Sequence, residues 1–524
     1  MQADLTFDTD ARNPTIDPTR ASNHYGGNMQ SDKRDDDDLS KYGYEQKLSR
    51  AIGGYTSFAL SFSMVTITTT IFTLFADPFT KLGGVGIWLW LPVTAGVLML
   101  TLVYGHLAAR MPVTGYAYQW SSRLVGPHFG AAVGWVALCS FFVGTASIAL
   151  AMASVFAPEV WDSPTQRQIQ LVAGIAIALA VIINIVGVKA AGWINNIGAT
   201  TELVGTLGLG AVTVVGLMFF FDNKEGPSVL FDTNPVGGGE IGLGVLGLAA
   251  LLPLYTLLGW EGAADLAEET HDPRRTAPRA MVRAVLVSGI AGFVIYAIFA
   301  MAIPFGIEDT VNQGRNPLFY VVSTQLGTGA ARFIEVVALV SIFAALLANV
   351  TVATRMLFAL SRDNVLPFGK RLAKVSTTTH APVRCVVVVG VFALGINLLS
   401  AGLVAKVLSL TAVAYYTTYL LTMVATIYGQ RRGTIPTAPR GYFSLGRWLV
   451  PLAGVGIAWS LVVIAYGTIP EGNRVAAEYF GYALLIGILY WALYLRRKIN
   501  SGEAGPPKQT VQPPPAVLSE DMNA

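Results

Sequence analysis

Apolar residues run along this chain in long unbroken stretches, not in the alternating or every-third-and-fourth patterns of a soluble domain. Runs near the ~20 residues needed to cross a bilayer centre on Ile67, Ala95, Val143, Ala178, Leu209, Leu254, Ile295, Ala345, Val391, Ala414, Ile457 and Leu489. They predict an all-α polytopic membrane protein with about twelve transmembrane helices. Polar ends flank the runs. Residues 1–46, which include SDKRDDDDL, are expected to form a disordered cytoplasmic tail, 47–498 the transmembrane transporter domain, and 499–524 a second disordered cytoplasmic tail.

Composition agrees: 53% of residues are hydrophobic and 13% charged, against about 25% charged in soluble domains. Where the charges fall says more than their sum. With the N-terminus placed in the cytoplasm, roughly 23 Lys and Arg lie in inside segments and roughly seven outside. That asymmetry predicts two cytoplasmic termini in a plasma membrane, or a cell inner membrane if the source is bacterial. Cys139 and Cys385 sit far apart in apolar surroundings and read as buried thiols. No phosphate loop, HExxH or GxSxG element occurs, so no enzyme activity, catalytic residue, metal or cofactor is assigned. The tails lack a basic and aromatic surface for nucleic acid.

Two runs are abnormal. The first, SFALSFSMVTITTTIFTLF, carries Thr66, Thr68, Thr69 and Thr70, β-branched and hydroxylated residues that can satisfy backbone groups freed by an unwound turn. The sixth, LLPLYTLLGWEGAADLAEETHDPRR, is interrupted by Pro253, Gly259 and Gly262 and carries Glu261 and Asp265. Breaks at the first and sixth positions match a five-plus-five inverted repeat in which paired helices break at mid-membrane. Each resumed half-helix would aim unpaired N–H groups and a partial positive charge at the membrane centre, where they could hold a carboxylate. Carbonyls ending the preceding halves could accept from an ammonium group.

Intramembrane acids are costly and seldom accidental. Glu261, in the first turn after the break, could cap its own helix or act as a proton-binding or gating group. Asp265, Glu268 and Glu269 are expected to pair with Arg274 or Arg275 at the membrane edge. Glu202, in an otherwise uncharged fifth run, could take up a proton, pair with a cation or serve as a hydrogen-bonded structural group.

GWEGAADLAEETHDPRRTAPRA resembles the sixth-span signature of the amino acid–polyamine–organocation superfamily, close to GFExxxxLAEExxxPxRxxPRA. HLAARMPVTGYAYQWSSRLVG, NIVGVKAAGWINNIGATTELVG and RMLFALSRDNVLP are similar to further family segments, with the flavour of the amino acid/choline transporter branch. The resemblance covers roughly Lys47 to Lys498 and implies the leucine-transporter fold. It implies a substrate head at the span-one break, placed on Thr68–Thr70 where the family has glycines, and a gate aromatic at Tyr255, followed by Thr256. His106 stands where the family often has Glu. Glu202 falls near the position where proton-coupled relatives carry a lysine in place of a sodium ion. Asn349, set against the first span, could supply an oxygen to an ion or hydrogen-bond the unwound turn.

The resulting expectation is a secondary active permease for a zwitterionic amino acid or γ-aminobutyrate, working by alternating access. Its partners are the bilayer, the substrate and a proton, with sodium the lesser candidate. Substrate would meet Thr66, Thr68, Thr69, Thr70, Tyr255, Thr256, Gly259 and Trp260; coupling would use Glu202, Glu261 and Asn349. The alternatives are a choline, ethanolamine or polyamine transporter of the same fold, for which Tyr255, Trp260 and Phe343 could offer aromatic surfaces, or an amino-acid exchanger.

Overall fold

A computed structural model describes residues 33–236, 238, 243–313, 316–399, 404–438, 441–470 and 474–507. The helices used below are α1 (Gly54–Val65), α2 (Ile67–Leu74), α3 (Trp90–Ala108), α4 (Tyr116–Leu124), α5 (Pro127–Val160), α6 (Gln166–Val186), α7 (Val188–Phe219), α8 (Leu251–Thr256), α9 (Gly262–Asp265), α10 (Pro273–Met301), α11 (Thr328–Arg362), α12 (Val383–Leu399), α13 (Val404–Arg432), α14 (Leu449–Thr468) and α15 (Arg474–Tyr490). All twelve expected centres fall within these helices. Among the described residues, ten helical segments are long and apolar enough to cross a membrane. The Val391 and Leu254 centres lie instead in the 17-residue α12 and in the interrupted α8–α9 segment. The only β feature among the described residues is an isolated bridge between Ile52 and Thr270.

Local chemistry sets the helix ends. Pro127 opens α5, where a missing N–H costs nothing. Thr165 and Gln168 form a capping box before α6. Small residues bring helices together, as in other membrane bundles. A Cβ on Gly198 of α7 would lie 2.3 Å from Ala344 Cβ of α11, and one on Gly292 of α10 would lie 2.3 Å from the Trp90 ring.

Residues before Lys47 also pack against the helices. Residues 33–41 are helical, and Leu39, Tyr42 and Tyr44 are buried. The Asp38 carboxylate meets Arg274 Nε at 2.5 Å, the Asp272 N–H donates to Asp35, and the Tyr44 hydroxyl donates to Asp363 at 2.8 Å. Apolar and aromatic residues within the acidic run supply the anchor that its charge pattern hides. On the C-terminal side, past Lys498, the Gly505 N–H donates to the Asp363 carbonyl, and Ala504 is buried. Both described ends therefore pack at one end of the bundle, here termed the terminal end. Residues 1–32 and 508–524 lie outside the described part.

Candidate functional site

The first run breaks at Thr66, where φ is 13° and ψ is 96°, and resumes at Ile67. The break thus lies two residues before the expected Thr68–Thr70, which form the first turn of α2. The reason is the partner on α7. The Thr68 N–H donates to Glu202 Oε1 at 3.0 Å, and the Thr68 and Thr206 hydroxyls are 2.8 Å apart. Thr70 Oγ1 closes the turn by donating to the Thr66 carbonyl at 2.7 Å. A carboxylate on the opening turn of α2 satisfies orphan N–H groups and complements the helix dipole. The protein's own Glu202 therefore takes part of the anion site that the sequence assigned to substrate. It is 1% exposed, and its Oε2 has no hydrogen-bond partner.

The sixth run breaks after Thr256, and the helix resumes at Gly262, the last of the three expected interruptions. Gly259 has φ 80°, and a Cβ there would lie 2.9 Å from Met64 Cβ. Glycine is required at that point by both backbone conformation and space. It lets the break in α8–α9 lie directly against the last turn of α1.

The two breaks meet at a cavity of about 20 Å³, room for about one water. It is lined by Met64, Thr66 and Thr69, by Gly144 and Ile148 of α5, by Tyr255, Leu258 and Gly259, by Asn349 of α11, and by Thr411 and Tyr415 of α13. Thr66, Thr69, Tyr255, Gly259 and Asn349 are thus brought together as expected. Thr68 and Thr70 face α7 and the break carbonyl instead. Thr256 bonds back to the Leu252 carbonyl at 2.7 Å. Trp260 does not line the cavity; its ring lies 4.9 Å from Tyr104 and 5.2 Å from Tyr419. Asn349 does not hydrogen-bond the unwound turn. Its amide donates to the Phe141 carbonyl at 3.1 Å and to Thr145 Oγ1 at 2.8 Å, and its oxygen accepts from the Tyr415 hydroxyl at 3.0 Å. The Tyr255 hydroxyl lies 2.8 Å from Ser147 Oγ.

Ser147, Thr411 and Tyr415 escaped the sequence reading. Their signal was present: hydroxyls inside otherwise apolar runs, GTASIAL on α5 and LTAVAYYTTYLL on α13. What the sequence withheld was which faces of α5 and α13 turn inward.

Toward the terminal end, closed layers follow the cavity. Glu261, fully buried, accepts from the Tyr419 hydroxyl at 2.8 Å and from Tyr116 at 3.5 Å. Next, Asp265 accepts the Gly115 N–H at 2.6 Å. The expected pairing of these acids with Arg274 and Arg275 is not found. Glu268 is bidentate to Arg362 at 2.9 and 3.0 Å, and Glu269 is bidentate to Arg355 at 3.0 Å for both bonds. Arg274 is engaged by Asp38 and the carbonyls of Ala109 and Arg110, leaving the nearby acids to α11. The N-terminal segment covers this layer: the Ala51 and Ile52 N–H groups both donate to the Glu269 carbonyl.

Residues 52–493 match the family model described as amino acid permease. The chain belongs to that family. It is similar to the amino-acid permease BAT1 of Arabidopsis thaliana, with 24% identity over 87% of this chain and 94% of that one. Amino-acid permease 2 of Neurospora crassa is 23% identical over 90% of each chain. The thiamine transporter thi9 of Schizosaccharomyces pombe is 22% identical over 90% of this permease and 87% of the relative. The match takes in both broken helices, every cavity-lining residue and the ion-paired layers of this permease. Thr66, Glu202 and Tyr415 accordingly lie inside the family's own domain, while the helix at 33–41 precedes it.

Proposed function

We propose that this permease moves a zwitterionic amino acid or γ-aminobutyrate across the plasma membrane by alternating access, coupled to a proton, with both termini cytoplasmic. The observation that carries the reading is the meeting of two broken helices at a cavity lined by Thr66, Thr69, Tyr255, Asn349 and Tyr415. Hydroxyls and the remaining N–H groups at the start of α2 suit a carboxylate, and the carbonyls that end α8 suit an ammonium group. Tyr255 forms the wall that closes over them. Glu202 is the proton site in this scheme. One oxygen is held by the Thr68 N–H, and the other is free to carry a proton. Loading that proton weakens the charge-assisted bond to α2 and frees N–H capacity for substrate.

A second reading, transport of choline, ethanolamine or another amine, is favoured by a specific arrangement. The buried Glu261 carboxylate is walled by Tyr104, Tyr116, Trp260 and Tyr419, a surface suited to a cation. The test is uptake by purified protein in proteoliposomes. Amino acids, γ-aminobutyrate, choline and ethanolamine are offered under an inward proton gradient, with and without sodium. Concentrative uptake of a zwitterion on the proton gradient alone is expected. In Glu202→Gln, that uptake is lost while exchange of labelled for unlabelled substrate persists. Uptake of choline alone, or strict sodium dependence, overturns the substrate or coupling assignment.

A further inference from the structure

The helix α15 and its continuation stand off the bundle: within residues 477–500 only Phe480, Leu495 and Ile499 are buried. Its seat is narrow. Trp135 Nε1 of α5 donates to the Ala483 carbonyl at 2.9 Å, and a Cβ on Gly487 would lie 2.5 Å from the same indole. The Tyr490 hydroxyl donates to the Val365 carbonyl at 2.7 Å. On each flank of this seat runs an apolar crevice. One, of about 690 Å³, lies between α5, α12, α13 and α15 and has Phe142, Phe368, Phe392, Leu399 and Tyr479 in its walls. The other, of about 600 Å³, has His128, Leu484 and Trp491 in its walls. Trp135 and Leu366 border both. Along α12 the first crevice runs from Val388 to Leu399, about 16 Å at the helical rise. That length is about half the ~30 Å hydrocarbon thickness of a bilayer.

The mouths at the terminal end are basic. Phe368, 74% exposed, precedes a short turn carrying Lys370 and Arg371, with Lys374 just beyond; all three cations are exposed. None of the three forms an ion pair with an acid among the described residues. Exposed Arg496 and Arg497 stand at the mouth of the second crevice, the former 5.7 Å from the Trp491 ring. Two crevices that share a wall, with aromatic residues at the rim and cations outside it, complement a molecule with two apolar chains and one anionic head.

We propose that the paired crevices flanking α15 hold the two acyl chains of an anionic phospholipid from the leaflet on the terminal side, with its headgroup against Lys370, Arg371 and Lys374. Such a lipid fastens α15 to the bundle where protein contacts are few. The site is separate from the central cavity and does not depend on which substrate is carried.

The test is native mass spectrometry of the full chain from mild detergent, with phosphatidylglycerol or phosphatidylcholine of identical chains added. The expected result is retention of phosphatidylglycerol at about tenfold or greater preference. In the K370Q/R371Q/K374Q variant the two lipids are retained equally. In Ala483→Phe, which fills the first crevice, both are lost. If Ala483→Phe does not fold, the surface variant decides alone. Equal retention of both lipids by the unaltered protein, or an undiminished preference in the triple variant, overturns the proposal. So does a lipid-free dimer, which would make this face an interface between two copies.

Discussion

The Arg355–Glu269 pair sets the strength of closure at the terminal end. Both bonds are 3.0 Å, and the side chains are 1% and 0% exposed. The pair joins α11 to the turn after α9, so it also spans two elements that must part if this end opens. Substituting Glu269→Leu leaves a guanidinium buried without its counter-charge; Arg355→Met leaves a buried carboxylate. Either single change costs about 3–5 kcal/mol, whereas replacing both partners with apolar groups of similar volume is often neutral. At ~1.4 kcal/mol per decade, each single change lowers the folded-to-unfolded ratio by about 10² to 4 × 10³. The assay is a double-mutant cycle read by the monodisperse peak remaining after heating in detergent. The two single variants should lose the peak at much lower temperature, and the double variant should return close to the unaltered protein. A double variant as damaged as the sum of the singles would refute the reasoning, because contacting partners must be non-additive.

Gly259→Ala puts a Cβ at a φ of 80° and 2.9 Å from Met64 Cβ. It is expected to cost at least ~1–2 kcal/mol and to reduce uptake; unchanged melting and transport would place the break elsewhere. Asn349→Ala removes an acceptor from Tyr415 and two donor contacts to α5. The expected loss is about 1–3 kcal/mol, with a raised KM in proteoliposome uptake; unchanged values would show the network to be dispensable. Burial raises the pKa of Asp38, but bonds from Arg274 and Lys41 outweigh it and leave the carboxyl below its usual range. Its contribution is thus full above the ordinary pKa of about 4 and is lost as pH falls through the lower folded value. A fluorescent label at position 40 should report release of the 33–41 helix below about pH 4, and at neutral pH in Asp38→Asn. A signal that is flat with pH and unmoved by that substitution would sever the helix from this pair.

The spans were legible because apolar run length is a local property of the chain. The breaks were legible because clustered Thr, Pro and Gly are poor helix formers wherever they lie. Their exact positions were not, since α2 starts where Glu202, 134 residues away, reaches the Thr68 N–H. The acid pairs failed for the same reason. Arg274 and Arg275 are neighbours of Glu268 and Glu269 in sequence, but Arg362 and Arg355, 94 and 86 residues away, are their neighbours in space. At residues 33–46 the acidic run suggested a solvated tail. The buried Leu39, Tyr42 and Tyr44 outweigh it, because each acid that docks finds a donor already placed.

The closures on the two sides of the central cavity differ in kind. Toward the far end, α8 and α5 are joined beside the cavity by the Tyr255–Ser147 hydrogen bond, a neutral contact of net worth about 1 kcal/mol. Toward the terminal end stand Glu261 with Tyr419, two bidentate Arg–carboxylate pairs, and the N-terminal segment bonded to the Glu269 carbonyl. Charge-assisted bidentate bonds are roughly twice as strong as neutral ones, and separating them exposes charges that the closed state holds paired. Among the described residues, the Tyr255–Ser147 bond toward the far end is neutral, whereas the pairs toward the terminal end are charge-assisted. Under the alternating-access scheme proposed above, ligand binding must contribute the free energy that parts α11 from the turn after α9. That requirement links the cavity to the ion pairs: a ligand able to shift the equilibrium must bind the terminal-open state more tightly by as much as those pairs hold it shut.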